Sequence, residues 1–236
     1  EDFKNFVVPL LKIHQSIQAL EWIPKVPYAL RQQYEQRARQ DGFDQFIFFE
    51  KQDKKSVSAN TREFYYPVYY VEPLQGNEAA LGFDLGSNPT RLQALNQAHD
   101  SDNFVATARI TLVQEAKQQA GLLIFAPVYD NDKKVQGFAV MVLRIDDMIS
   151  AAILEQSDQI HTIIHDVTDN HKGELLFQSD TISVDESTLY SKIIDVGGRR
   201  WSMSMIENTS LTPNRNRSQQ CPVSESTLGT FRFSWP

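Results

Sequence analysis

The sequence predicts an α+β fold: a long N-terminal stalk helix followed by two β-rich domains with antiparallel sheets. Three observations carry this. Apolar residues recur every three or four positions near the N-terminus, as on one face of a helix. Short β-rich runs fill the middle and the C-terminal third, joined by turn residues at hairpin spacing. A single capped helix, entered at Asn88-Pro89, interrupts those runs.

In order, Phe3, Phe6, Val7, Leu10, Leu11, Ile13, Ile17 and Leu20 form one helical stripe, with Pro9 inside it as a kink or a start. Pro24 and Pro27 interrupt around Trp22. A second helix runs from Tyr28 to Gln40 and stops at Asp41-Gly42. Residues 43–50 are expected as a buried strand, and 63–71 as a strand whose Pro67 marks an edge or a bulge. Asp84–Arg91 opens the capped helix, with Leu92, Leu95 and Ala98 as its buried stripe. Residues 105–113, 121–129 and 137–145 are expected as strands, the last two a hairpin closed at 130–133. A helix over 146–154 precedes a smaller β unit with strands at 159–167, 175–177, 190–196 and 200–206, the last two joined through Gly197-Gly198-Arg199. The expected division is 1–42 for the stalk and connecting helices, 43–154 for a larger domain, 155–207 for a smaller one and 208–236 for an irregular tail.

Composition narrows the function. The chain has 236 residues, 41% hydrophobic and 11% aromatic, enough for a packed core. A net charge of −7 argues against nucleic acid as a partner, since nucleic-acid binders are usually basic. The single cysteine, Cys221, rules out an intramolecular disulfide framework. No apolar run reaches the roughly 18 residues of a membrane helix, and the chain opens mid-pattern at Glu1-Asp2-Phe3, as a segment of something longer would.

Catalytic motifs are missing: there is no phosphate loop, no Gly-x-Ser-x-Gly elbow and no His-Glu-x-x-His. Glu72, Glu78 and Asp84 offer carboxylates with no nucleophile beside them, so a hydrolase is disfavoured and no enzyme activity is assigned. His161 and His165 share a strand face, with His171 near, yet hydrogen-bonded strand histidines are the simpler reading. Asp130 and Asp132 suit a hairpin turn better than a calcium loop, whose downstream Gly and Glu are missing. No metal or cofactor is expected. A binding pocket asks for less, namely apolar walls and a few aimed polar groups. The order strand, turn, helix, further strands is how a PAS-like module encloses a small molecule. Tyr66, Tyr69, Asp84, Thr107, Arg109 and Phe125 are the candidates for its lining; Asp84 alternatively caps the turn that follows it.

The runs Tyr66-Pro67-Val68-Tyr69-Tyr70-Val71-Glu72-Pro73, Gly82-Phe83-Asp84-Leu85-Gly86-Ser87-Asn88-Pro89-Thr90-Arg91, Val105-Ala106-Thr107 and Phe125-Ala126-Pro127-Val128-Tyr129 resemble the CHASE domain, with Trp22-Ile23-Pro24 and Gly198-Arg199-Arg200-Trp201 fitting bacterial members. The resemblance spans residues 15–206. It implies a dimerising stalk, two PAS-like domains, a ligand in the membrane-distal one, flanking transmembrane helices, a periplasmic or extracytoplasmic location, and a cytoplasmic histidine kinase or diguanylate cyclase as output. In plant cytokinin receptors of this family an Asp reads the adenine ring; the matching position here is Thr90. A pocket threonine matches Thr107, and a second falls on Phe125. Val113 completes the implied lining. The expected ligand is a cytokinin-like purine or, if Arg109 points inward, a small anion; Thr90 and Phe125 depart from the purine-binding pattern. The rival reading is a protein-interaction or dimerisation scaffold with a side-chain-filled cavity.

Overall fold

The computed structural model describes residues 2–14, 16–53, 55–112, 120–153, 160–169, 173–179 and 190–207. Helix α1 spans Asp2–Ile13 and leads to strand β1, Ile17–Pro24. Strand β2 (Val26–Pro27), a short 3-10 turn and helix α2 (Arg31–Gln40) follow. Then come β3 (Phe49–Gln52), β4 (Lys55–Ser58), β5 (Phe64–Tyr65), β6 (Tyr70–Glu72), helix α3 (Pro89–Ser101), β7 (Val105–Ala106), β8 (Ile110–Thr111), and the long hairpin β9 (Ala120–Tyr129) and β10 (Val135–Arg144). Helix α4 (Ile145–Ile153) connects to β11 (Ile160–Asp166), β12 (Glu174–Gln178), β13 (Tyr190–Val196) and β14 (Arg199–Glu207).

Two antiparallel sheets dominate. The first has the order β6-β1-β10-β9-β7, with β8 also on β9; the second has the order β12-β11-β14-β13. Strands β9 and β10 are apolar on both faces because both faces are covered. Leu123, Phe125, Phe138, Val140 and Val142 meet α3 and the 66–85 segment on one side. Leu122, Leu143 and Ile145 meet Ile149 of α4 and Ile164, Leu176 and Trp201 of the second sheet on the other. A third cluster packs Val26, Ala38, Phe46, Phe48, Tyr65 and Tyr69 under α2. Arg31 ties α2 down by donating to the carbonyls of Ala59 (2.7 Å) and Phe48 (3.0 Å).

The expected long N-terminal stalk helix is not seen. Only Asp2–Ile13 is helical, and residues 17–24 form the interior strand β1, paired with β10 on one side and β6 on the other. Apolar residues at 17 and 20 suit both periods; what decides is alternation, with Ala19, Glu21 and Ile23 buried in turn against the sheet face. Three expected strands are also shorter. Phe46 and Phe48 are buried, but pairing starts only at Phe49. The 63–71 run breaks into β5 and β6 around Pro67, which keeps only an isolated bridge to Asp84. In the described part of the 105–113 run, strand is confined to the β7 and β8 dipeptides. The hairpin, α4 and the four strands of the smaller unit form as expected, and α2 ends at Asp41 with Gly42 at φ +101°. The tail with Cys221, and residues 114–119, lie outside the described residues. Among the described residues no helix is long and apolar enough to cross a membrane.

The loop layer over the first sheet is knitted by backbone bonds. Phe49 N–H donates to Gly82 O (3.0 Å), Gly82 N–H to Val68 O (2.8 Å), Val68 N–H to Phe83 O (3.0 Å), Asp84 N–H to Phe49 O (2.8 Å) and Leu85 N–H to Tyr66 O (2.9 Å). Gly82 permits this crossing: its φ is +86°, and a Cβ there would sit 2.4 Å from Ile47 O. The two sheets are stitched where the β13–β14 turn meets β7, Ala106 N–H donating to Gly197 O at 2.8 Å.

Gly197 has φ +57°, and a Cβ on it would lie 2.8 Å from Ala106 N. Gly197→Ala is therefore expected to destabilise the fold by about 2 kcal/mol or more, from left-handed backbone strain plus loss of the docking contact. Urea unfolding of the variant against Gly198→Ala, whose Cβ would meet nothing within 4 Å, separates the contact from the strain.

Candidate ligand pocket

The site is built outward from Asp84. This residue is fully buried, and its Oδ1 accepts Tyr66 N–H (2.8 Å) and Gly86 N–H (3.1 Å). Its Oδ2 pairs with Arg62, whose other nitrogen pairs with Glu50. Glu50 in turn accepts from Asn60 N–H (3.1 Å), Asn60 Nδ2 (2.6 Å) and Gln52 Nε2 (3.1 Å). Burial raises the Asp84 carboxyl above the usual aspartate range, although the Tyr66 N–H, Arg62 and the Gly86 N–H all pull it down. For Glu50 the balance reverses: burial pushes up, but the Asn60, Gln52 and Arg62 hydrogen bonds together hold it below an ordinary glutamate. The turn that Asp84 fixes delivers Asn88, whose Oδ1 caps α3 by accepting Arg91 N–H at 3.1 Å, with Pro89 at the first helical position.

The cap sets Arg91 facing the sheet. Arg91 is 5% exposed and Glu21, on β1, is 3% exposed; both line one small cavity of about 10 Å3 whose walls are Val68, Ala80, Phe83, Leu85, Leu112 and Leu123. That volume holds about one water. Arg91 Nη2 donates to Thr111 O at 3.0 Å, and its guanidinium lies 5.3 Å from the Phe83 ring centroid. Its buried Nε–H has no hydrogen-bond partner. Desolvation pushes the Glu21 carboxyl up to about 8, against the attraction of Arg91, and drives the Arg91 guanidinium down to about 10, against the attraction of Glu21. Burial thus favours the neutral form of both groups, and their mutual attraction opposes it.

The residues expected to line a pocket are spread over several places. Tyr66 and Phe125 lie in the core under α3, both against Phe138 at centroid distances of 6.0 and 6.1 Å. Tyr69 belongs to the aromatic cluster under α2, edge-on to Phe46 and Tyr34. Asp84 caps the following turn, the alternative its sequence context offered. Thr90 is half-buried on the first turn of α3. Thr107 is 2% exposed; its Oγ1 accepts Leu123 N–H (3.1 Å) while its own N–H donates to Leu123 O (2.9 Å), so it splices the 107–109 segment onto β9. Arg109 pairs with Glu174 of the second sheet at 3.7 Å, and Val113 lies outside the described residues. Asp130 closes its hairpin turn by accepting Asp132 N–H (2.9 Å) and Lys134 N–H (2.8 Å). Among the described residues no cluster of three or more potential ligands could hold a metal ion.

Sequence reasoning missed Glu21, Arg91, Glu50 and Arg62. Glu21 stands just past the helical stripe that ends at Leu20, where no pattern marks it; on a strand the same residue stands between Ala19 and Ile23 on the inward face. Arg91 was in view within the Asn88-Pro89-Thr90-Arg91 motif, but only the cap geometry shows that it turns inward.

Glu21 binds its proton more tightly folded than unfolded, where an ordinary carboxyl titrates near 4.5. Its contribution to stability is therefore full below that value and lost as pH rises toward 8. Wild-type unfolding free energy is expected to fall by a few kcal/mol between pH 5 and 8, on the order of one per pH unit, and Glu21→Gln to flatten that slope in chemical denaturation at each pH. Arg62→Met strands two buried carboxylates and is expected to cost about 3 kcal/mol, measured the same way at pH 7.

Comparison with known proteins places this geometry. A curated relative, hybrid signal transduction histidine kinase A of Dictyostelium discoideum, is 24% identical over 189 residues, 65% of this chain; the chain spans only 9% of that relative's length. Among solved structures, the periplasmic sensory domain of the Campylobacter jejuni chemoreceptor Tlp1 superposes with a TM-score of 0.53 at 10% identity, over 91% of this chain and 81% of that one. An extracellular ligand binding receptor from Desulfohalobium retbaense superposes with a TM-score of 0.51 at 11% identity, over 87% of this chain and 33% of that one. These two show a shared fold. The CHASE domain family model matches residues 1–177, three-quarters of the chain, and the protein belongs to the CHASE domain family.

Proposed function

We propose that this chain is the extracytoplasmic small-molecule-sensing part of a transmembrane receptor, with its ligand held on the face of the first sheet beneath α3, at Glu21 and Arg91. The observation that carries this reading is the placement of two ionisable side chains, each at least 95% buried, beside a cavity in an otherwise apolar core. The Arg91 Nε–H is buried with no hydrogen-bond partner, which is costly, and polar groups in an apolar pocket are the ordinary composition of a binding site. Family membership and the fold shared with two receptor domains support sensing as the role.

In this reading residues 43–154, with β1, form the membrane-distal ligand unit and 155–207 the membrane-proximal one. Ligand binding repositions α3 and the β7–β9 edge, and the contact between Ala106 and Gly197 passes that shift to the second sheet. A ligand switches such a device only by binding one arrangement more tightly than the other, typically by about 1–3 kcal/mol. The histidine kinase relative supports a kinase as the cytoplasmic output. The rival scaffold reading draws on the smallness of the cavity, which side chains nearly fill.

Native mass spectrometry of gently purified protein, followed by thermal-shift screening against a broad metabolite library, tests the sensory reading. The expected outcome is a small-molecule adduct, or a compound that raises the melting temperature of wild type and much less that of Glu21→Gln/Arg91→Lys. No adduct and no stabilising compound at millimolar concentration would favour the scaffold.

A further inference from the structure

We propose that β13 (Tyr190–Val196) is a docking edge for a second copy of this chain, the two β13 strands pairing antiparallel about a two-fold axis at Ile193 and joining the second sheets of both copies into one. The strand ends the order β12-β11-β14-β13, and among the described residues it pairs with β14 alone. Its outer row of backbone N–H and C=O groups is a template for another strand. Every other edge among the described residues is shorter or broken. The first sheet ends in β6, of three residues, and in β7 and β8, of two each. The two small ribbons have strands of two residues in one and four in the other. Strand β12 has five residues, and its register slips between Ile164 and His165. Strand β13 runs seven residues in unbroken register, with neither the proline nor the bulge that commonly protects an edge. It also leaves Tyr190 50% and Ile193 48% exposed, with Ser191 and Lys192 exposed between them.

Charge and shape choose the occupant and its register. Antiparallel strands related by a two-fold axis oppose residues of the same face, so the axis falls on a residue position. An axis at Lys192 sets two ammonium groups directly opposite, and one at Asp195 two carboxylates; like charges so placed are destabilising. An axis at Ile194 puts Asp195 against the partner's Ile193 and Lys192 against the partner's Val196, a charge facing an apolar side chain each time. An axis at Ile193 pairs all seven residues. Ile193 then meets the partner's Ile193, and on the same face Ser191 meets the partner's Asp195, hydroxyl to carboxylate, twice by symmetry. On the other face Tyr190 meets the partner's Val196, and the aliphatic stem of Lys192 lies along the partner's Ile194. The edge is thus complementary to itself in one register. Its position gives the pairing a consequence. Gly197, whose carbonyl accepts Ala106 N–H at 2.8 Å, directly follows β13, so the second copy docks one residue from the contact that joins the two sheets.

Sedimentation velocity of the full chain from micromolar to millimolar concentration, at physiological salt so that the net charge of −7 is screened, is expected to show a reversible dimer. Ile193→Lys puts like charges on the axis at a side chain that is half-exposed in the single chain, and is expected to weaken the dimer about tenfold or more with an unchanged circular dichroism spectrum. Phe6→Lys, on the exposed face of α1, is expected to leave the dimer as it is. A second arm does not depend on the lysine variants. In a Cys221→Ser background, which removes the chain's single cysteine, Ile193→Cys is expected to cross-link between copies on mild oxidation, and Lys192→Cys, opposite Ile194 of the partner subunit, to stay reduced. A monomer at every concentration, equal cross-linking at 192 and 193, or a dimer dissolved by Phe6→Lys and untouched by Ile193→Lys overturns the proposal. No ligand enters the measurement, so its failure leaves the sensory reading standing.

Discussion

The buried carboxylate of Asp84 is the point on which the loop layer turns. It gathers three segments at once: the Tyr66 and Gly86 amides through one oxygen and Arg62 through the other, with Arg62 leading on to Glu50. Without that arrangement the chain from Pro67 to Asn88 has little regular structure to hold it, since β5 and β6 are two and three residues long. The fixed turn sets the Asn88 cap, the cap sets the start of α3, and α3 covers the sheet. A fully buried charge is tolerated here because nearly every lone pair has a donor.

Glu21 and Arg91 are a contrasting use of buried charge. They too sit in the core, but between them lies a small cavity, and one guanidinium N–H is left without a partner. The surrounding apolar walls take both groups out of bulk solvent, which favours the neutral form of each. Asp84 is satisfied within the chain itself; the Arg91 fork is only partly satisfied, so it has binding capacity left over. The difference is between a network satisfied within the chain and a guanidinium with a donor to spare.

The two sheets share more than a connection. Strands β9 and β10 give alternate residues to the core under α3 and to the core shared with α4 and the second sheet, so a shift of either strand is felt on both sides. The Ala106–Gly197 hydrogen bond adds a directional contact at the edge strand next to Thr107. In the second sheet Arg199 pairs with Asp166 and, at 3.0 Å, with Asp169, anchoring the start of β14 to the end of β11 directly behind that turn.

Much of this protein follows from sequence alone. Period-2 runs with turn residues at hairpin spacing determine β9–β10 and β13–β14, and Asn88-Pro89 determines where α3 begins, because these are local preferences that no tertiary contact opposes. Composition and motif content likewise carry the family and its α+β class. Tertiary structure alone decided the rest. Residues 17–20 fit a helix or a strand equally well by spacing, and pairing with both β10 and β6 selected the strand, turning Glu21 inward. Arg91 could have pointed to solvent, like most arginines; the Asn88 cap and the Thr111 carbonyl oriented it. Tyrosines that looked equivalent were divided between two cores by the break at Pro67. A pocket depends on which side chains meet from distant segments, and a local pattern holds no record of that meeting.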